Sequence, residues 1–146
     1  MANDLTDAVR LFEQGGYSCV LCRDGVFHTS TQRGVAPLVG WIDSGLSLEG
    51  FSAADKIVGK AAALLFVRLG ARAVYAPVMS ESAAAVLARF GVQAGYQTLV
   101  KTIMNRQGTG SCPMERAVEG IENPEGALEA VRETIKALAA KPSTAG

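Results

Sequence analysis

The longest uninterrupted apolar run in the sequence constrains the fold more than any other feature. Residues 61–67 read Ala-Ala-Ala-Leu-Leu-Phe-Val. A helix that is apolar on every side has to be covered on every side, which normally places it between a sheet and other helices. Ser52 and Asp55 have the three-residue spacing of a capping box. We therefore predict a buried helix over residues 52–68.

Two lysines occupy an unfavourable position at the start of this predicted helix. Lys56 and Lys60 lie one turn apart, where the partial positive charge of a helix N-terminus disfavours a cation by a few tenths to about 1 kcal/mol. Helix starts bind anions, so Asp55, Glu81 or an anionic ligand could offset the lysines. Alternatively, both ammonium groups reach solvent along their apolar stems. The sequence leaves both interpretations open.

Composition and charge limit the class of protein. Of the 146 residues, 49% are apolar and 19% are charged, which favours one folded domain over residues 1–146. Its core is expected over about residues 17–121, followed by a C-terminal helix over about residues 124–140. The 14 basic and 14 acidic residues give a net charge of +0. This balance argues against a nucleic-acid partner and favours self-association, so a homo-oligomer is an open expectation.

The sequence also gives an expectation for the cellular compartment. The apolar run over residues 61–67 is far too short to cross a membrane, and no membrane association is expected. The N-terminal segment lacks the basic and apolar regions of a signal peptide. Three cysteines, an odd number, fit a reducing compartment better than a disulfide framework. We therefore expect a cytoplasmic protein.

Local patterns predict alternating helices and strands. Asp24-Gly25 is a strong signal for a β-hairpin, and Pro37 is expected near the start of a short helix. The resulting order, α-β-β-α-α-β-α-β-α-α, predicts an α/β fold in which an antiparallel hairpin joins a parallel β-α-β unit. Besides residues 52–68, predicted helices cover residues 5–14, 35–44, 80–90, 112–121 and 123–140. Predicted strands cover residues 17–23, 26–31, 73–78 and 92–99. A helical turn is predicted at residues 100–104.

A glycine-containing loop before the predicted helix at residue 112 is a candidate ligand-binding segment. Gly108 and Gly110 permit backbone conformations closed to other residues, and their N–H groups could surround an anion. Arg106 is suited to bidentate binding of phosphate or carboxylate. Thr109 adds a hydroxyl group beside them. The loop predicts a site for a small anionic molecule.

Cys112 is the candidate nucleophile or redox centre. It would be the N-cap of its helix, with Pro113 at the first helical position and Glu115 at the third. A helix N-terminus stabilises a thiolate and lowers the pKa of the thiol. The alternative is a loop that only caps the helix, with Cys112 as a small buried apolar residue.

The remaining cysteines and the single histidine favour structural roles. Cys19 and Cys22 form a C-x-x-C string, but their odd spacing on a predicted strand places them on opposite faces. We therefore expect both to lie in the core. His28, on the second strand, could be a base or a surface residue.

The next predicted helix start adds polar groups at the same end of the sheet. Ser80 is the expected N-cap and Glu81 the first-turn carboxylate. Loops at the carboxyl ends of parallel strands form the binding crevice of such sheets. If the helix starts at Ser52 and Ser80 are neighbours, Asp55 and Lys56 would share one site with Ser80 and Glu81. Ordinary helix capping explains Ser80 and Glu81 equally well.

Five strings of the sequence, within about residues 17–121, carry a family resemblance. They are Asp24-Gly25, residues 33–38 (Arg-Gly-Val-Ala-Pro-Leu), residues 54–63 (Ala-Asp-Lys-Ile-Val-Gly-Lys-Ala-Ala-Ala), residues 74–76 (Val-Tyr-Ala) and residues 105–115 (Asn-Arg-x-Gly-Thr-Gly-x-Cys-Pro-Met-Glu). Through these strings the sequence resembles a family of small prokaryotic proteins of unknown function with a zinc-free, cytidine deaminase-like fold. The resemblance implies a three-layer α/β/α sandwich around a mixed sheet of four to five strands.

The sequence departs from zinc deaminases at the residues that would bind the metal. Those enzymes need H-x-E at one helix start and P-C-x-x-C at the next. The corresponding positions here carry residues 55–57 (Asp-Lys-Ile) and 80–82 (Ser-Glu-Ser). We therefore expect no metal and no cofactor. The resemblance implies a fold and the location of a site, and it implies no reaction.

Two functional hypotheses follow. In the first, the protein acts on a small anionic molecule, such as a nucleotide-like, phosphorylated or carboxylated compound. Cys112 would provide the nucleophile or redox centre, and Lys56, Glu81 and Asp55 would complete the catalytic group. The second is a non-catalytic ligand-binding or regulatory module derived from a deaminase. In both, the ligand would be held by Arg106, Gly108, Thr109, Gly110, Ser80 and Lys60.

Overall fold

A computed structural model describes residues 4–32, 34–46, 48–104, 110 and 112–140. Helices and strands alternate along most of this part of the chain. The helices are α1 (Asp4–Gly15), α2 (Ala36–Asp43), α3 (Lys60–Leu69), α4 (Glu81–Arg89), α5 (Pro113–Ala117) and α6 (Pro124–Ala140). The strands are β1 (Cys19–Arg23), β2 (Val26–Ser30), β3 (Ser52–Asp55), β4 (Ile57–Val58), β5 (Ala73–Ser80) and β6 (Gln93–Val100).

The predicted hairpin is confirmed. β1 and β2 pair antiparallel, and Arg23 faces Val26 across the turn. Asp24 and Gly25 have φ values of 49° and 81°. Two successive left-handed residues are typical of the turn whose twist matches that of a two-stranded antiparallel ribbon.

The predicted helix start at Ser52 is wrong, because Ser52–Asp55 forms the central strand β3. All four residues are buried, and β3 pairs antiparallel with β1 and parallel with β5. Two neighbouring strands thus satisfy the backbone groups that a helix would have satisfied internally. The helix in this region begins only at Lys60, after the N-cap Gly59. Asp55 and Lys56 therefore precede the helix instead of opening it.

Pro77 explains why a second short strand follows β3. β4 pairs with β5 in the same register as β3, since Ser52 lies opposite Ala73 and Ile57 opposite Val78. The pairing is interrupted around Lys56 and Pro77, and proline has no N–H group to donate. β3 and β4 are therefore two segments of one strand position in the sheet.

The described strands form one mixed sheet. Its order is β2-β1-β3-β5, with β4 continuing β3 and β6 on the other side of β5. β1 is antiparallel to β2 and β3, whereas β3, β4, β5 and β6 are parallel to one another. Helix α3 connects β4 to β5, and α4 connects β5 to β6. The expected α/β class and the parallel β-α-β unit are confirmed.

Helices cover both faces of the sheet. On one face, α1 contributes Ala8 and Phe12 to a small core with Val20, Cys22 and Ala54. On the other face, residues of α2, α3, α4 and α6 form the main core. It includes Cys19, Leu21, Leu38, Leu64, Leu87, Leu128 and Val74. Cys19 and Cys22 thus lie in different cores, as their odd spacing predicted.

Two other predicted elements differ in length or type. Val100 is the last residue of β6, and the helical turn predicted at residues 100–104 is not formed. α5 ends at Ala117, earlier than residue 121, and the following residues form a turn that closes at Gly120 with a φ of 78°. No helix in the described ranges is long and apolar enough to cross a membrane.

Candidate functional site

A cavity of about 180 Å³ lies at the carboxyl ends of the parallel strands. In open α/β sheets, ligands bind at this end because the loops there diverge to opposite faces. Here α3, α4, the end of β6 and α5 meet around it. The lining residues are Lys60, Ser80, Ser82, Lys101, Thr102, Glu115, Arg116, Glu119 and Gly120.

One wall of the cavity is formed by the start of α3, which is capped by a residue distant in sequence. The Glu115 carboxylate accepts hydrogen bonds from the backbone N–H groups of Lys60 (2.8 Å) and Ala61 (2.9 Å). A side-chain carbon added at Gly59 would lie only 2.6 Å from this carboxylate. Glu115, and not Asp55 or Glu81, therefore supplies negative charge at the start of α3.

The Lys60 side chain is held by a second carboxylate. Its Nζ lies 2.9 Å from Glu122 Oε2, and Arg89 Nη1 lies 2.5 Å from Glu122 Oε1. Hydrogen bonds from Arg89 and Lys60 lower the pKa of Glu122. The two cations thus share one exposed carboxylate, which orients Lys60 at the cavity.

The start of α4 forms a neighbouring wall. Ser80 is buried, and its Oγ accepts a hydrogen bond from the N–H group of Ala83 at 3.0 Å. The predicted N-cap is therefore confirmed, and the structure brings Ser80 and Lys60 to the same cavity. Glu81 is exposed and does not line this cavity.

Sequence reasoning missed two cations of the cavity. Lys101 directly follows β6, and Arg116 lies in α5. Within the described ranges, no carboxylate lies within 4 Å of either charged group. The position of Lys101 after a parallel strand was a usable signal. Nothing local indicated that Arg116 would face the same space.

Asp55 lies at the carboxyl end of β3, outside the cavity lining. It is buried, it pairs with Cys19 in the sheet register, and its Oδ1 accepts a 2.8 Å hydrogen bond from the N–H group of Lys56. Burial raises the pKa of Asp55 to about 7, although the Lys56 hydrogen bond and charge oppose this shift. The Lys56 side chain is exposed. The structure therefore does not unite Asp55 and Lys56 with Ser80.

Cys112 is the N-cap residue of α5, as predicted, and Pro113 occupies the first turn. The Cys112 carbonyl accepts hydrogen bonds from the N–H groups of Glu115 and Arg116, while its N–H group donates to the Ile103 carbonyl at 3.0 Å. The thiol is half-buried and does not line the cavity.

The predicted binding loop is described only in part. Gly110 is half-buried, and a side-chain carbon added at its Cα would meet no described atom within 4 Å. The predicted ligand-binding residues Arg106, Gly108 and Thr109 lie outside the described residues. Their contribution to a site stays a prediction.

Both remaining cysteines are buried. Burial, reinforced by the charge of Asp55, raises the pKa of Cys19. Burial and nearby Asp4 raise the pKa of Cys22. The possible ligand atoms of Asp4, Asp7 and Cys22 lie within 4.8 Å of one another. None of these residues lines the cavity.

Most of the chain matches the model of one protein family. Residues 7–135 match the model of a domain of unknown function, DUF1893 (TM1506). The chain belongs to this family. The membership confirms the expected relationship to a family of unknown function.

A solved structure shows the same fold. The crystal structure of a DUF1893 family protein (TM1506) from Thermotoga maritima superposes with a TM-score of 0.82 and 25% sequence identity. The alignment covers 91% of this chain and 91% of that chain. No curated protein matches the sequence. The DUF1893 relationship therefore supports the fold without supplying an activity.

Proposed function

We propose that this DUF1893 protein binds a small anionic molecule in the cavity between α3, α4, β6 and α5. The observation that carries the proposal is the convergence of Lys60, Lys101 and Arg116 on one cavity. Of the two carboxylates in the lining, Glu115 is already bound by two N–H groups of α3. Lys60 is itself paired with Glu122, so the positive charge left for a ligand comes from Lys101 and Arg116, which have no carboxylate within 4 Å among the described residues.

The size and polarity of the cavity suggest the ligand class. At about 180 Å³ it is smaller than the roughly 300–1,000 Å³ typical of drug-sized ligands. The hydroxyl groups of Ser82 and Thr102 add hydrogen-bonding capacity beside the cations. A phosphate group or a short carboxylic acid fits these properties, and a phosphate could belong to a nucleotide whose remainder stays outside.

Thermal unfolding with added ligands tests the proposal. Inorganic phosphate, a nucleoside monophosphate and a short dicarboxylate should be compared with chloride at equal ionic strength. A ligand at 100 times its dissociation constant stabilises the folded state by about 2.7 kcal/mol. Stabilisation by at least one anion is expected, and Lys101→Ala should abolish it. Lys56→Ala, which removes an exposed lysine outside the cavity, is the matched control and should retain it. If the anions fail to stabilise the wild-type protein, or if Lys101→Ala and Lys56→Ala lose the stabilisation equally, the cavity is not the binding site.

Cysteine-dependent catalysis is the second candidate function. α5 carries Glu115 and Arg116 at the cavity, and its N-cap is Cys112, the least buried of the three cysteines. Cys112 would act as nucleophile or redox centre at the start of α5, outside the cavity lining. If Cys112 only caps α5, the protein is instead a non-catalytic binding or regulatory module.

We also propose that the fold is cytidine deaminase-like and that the protein is cytoplasmic. A mixed sheet between helical layers, with two parallel β-α-β crossovers, supports a cytidine deaminase-like fold. The site would function without zinc, because the lining residues that the structure describes include neither histidine nor cysteine. Three free thiols support a cytoplasmic location.

A further inference from the structure

The outer edge of β6 is open within the part of the chain that the structure describes. β6 pairs with β5 on one side, and no other described strand pairs with its second side. Alternate residues of this eight-residue strand therefore direct backbone N–H and C=O groups away from the sheet. Another β-strand is the partner that satisfies such a row of groups.

The residues of β6 lack the charges, the prolines and the bulges that protect many sheet edges. Its sequence, Gln-Ala-Gly-Tyr-Gln-Thr-Leu-Val, contains no charged residue and no proline. Pairing with β5 keeps one register from Gln93 to Val100, so no bulge turns the edge away. Tyr96 and Leu99 are 43% and 40% exposed. A long, uncharged edge with exposed apolar side chains is a template for strand pairing.

We propose that two copies of this chain associate through β6, paired antiparallel about a twofold axis, so that their sheets become continuous. The absence of charge suits a second copy as the partner. In a symmetric antiparallel pair only the residue at the twofold axis faces its own counterpart, but like charges close to the axis would repel one another. A foreign partner would instead be selected by opposite charge. The net charge of +0 also leaves little repulsion between copies.

Light scattering and sedimentation over a range of concentrations test this interface. The wild-type protein should have twice the 15.2 kDa mass of one chain. Tyr96→Lys places two lysines near the axis and should raise the dimer dissociation constant at least about tenfold. Phe27→Lys is the matched control, since Phe27 is an aromatic residue of β2, at the opposite sheet edge, with 41% exposure. It should leave the dimer unchanged.

A backbone variant separates strand pairing from side-chain contact. Gln93 donates its N–H group to the Arg72 carbonyl on the β5 side, so alternation directs the N–H group of Thr98 outward. Thr98→Pro should therefore remove an intermolecular bond without breaking the β5 pairing, giving a monomer with unchanged circular dichroism. A monomeric wild type, equal weakening by Phe27→Lys, or a dimer that persists in both β6 variants would overturn the proposal.

Discussion

The Glu115 carboxylate and the backbone N–H group of Lys60 are joined by a 2.8 Å hydrogen bond across 55 positions of sequence. The other carboxylate oxygen accepts from Ala61. A helix leaves its first N–H groups without internal partners, and a nearby anion also interacts favourably with its dipole. α5 thus provides the cap that α3 lacks locally, because its own N-cap residue is Gly59.

Removing this carboxylate should destabilise the protein. Glu115→Ala leaves two N–H groups of α3 without their charged acceptor, and we expect the free energy of unfolding to fall by about 2 kcal/mol. Glu115→Gln keeps one acceptor oxygen and should cost less. Urea denaturation measures the change. Glu119→Ala, at an exposed position in the turn that follows α5, should stay within about 0.5 kcal/mol of wild type. A similar result for Glu115→Ala would contradict the capping role.

Gly59 should be sensitive to substitution because of Glu115. An alanine side chain would meet the carboxylate at 2.6 Å, although the φ of −100° suits any residue. We expect Gly59→Ala to cost roughly 1–2 kcal/mol in the wild-type protein and much less when Glu115 is alanine. Additive costs in the double-mutant cycle would argue against this contact. Gly40→Ala, in α2 with no atom within 4 Å, should stabilise by about 0.5–1 kcal/mol.

Asp55 should make stability decrease as the pH rises. Burial raises its pKa from 3.8 to about 7, so the folded protein retains a proton that the unfolded chain has released. The stability that the folded protein gains by keeping this carboxyl neutral is fully present below pH 4 and is lost as the pH rises through 7. Asp55→Asn should be as stable as wild type at pH 4 and more stable at pH 8, by at most about 4 kcal/mol.

Urea denaturation at several pH values measures this difference. Glu129→Gln, which changes an exposed carboxylate on α6, should leave the pH profile as it is in the wild type. If Asp55→Asn keeps the same pH dependence as the wild type, the buried carboxyl is not its source.

The thiol of Cys112 should be alkylated before the other two. Cys19 and Cys22 are almost completely buried, and their pKa values are raised, so little thiolate is available at pH 7. We expect iodoacetamide to label Cys112 at least about tenfold faster, as measured by peptide mass spectrometry. Cys112→Ser should show no early labelling. If Cys112 reacts more slowly than in the urea-unfolded chain, it is no candidate nucleophile.

Short-range patterns predicted much of the fold. Asp24-Gly25 indicated the hairpin, because few residues accept two successive left-handed conformations. Ser80 indicated the start of α4, since a hydroxyl at that position bonds an N–H group three residues later. The odd spacing of Cys19 and Cys22 placed them on opposite faces of β1. Each signal depends only on neighbouring residues.

The sequence by itself therefore determined the α/β class, the hairpin, the cap at Ser80 and the placement of Lys60 near a helix start. Tertiary structure alone decided that Ser52–Asp55 is a strand, because β1 and β5 supply its hydrogen-bond partners from both sides. It also decided that Glu115 caps α3 and that Lys101 and Arg116 share a cavity with Lys60. Local sequence does not encode these contacts, since they depend on how distant segments pack.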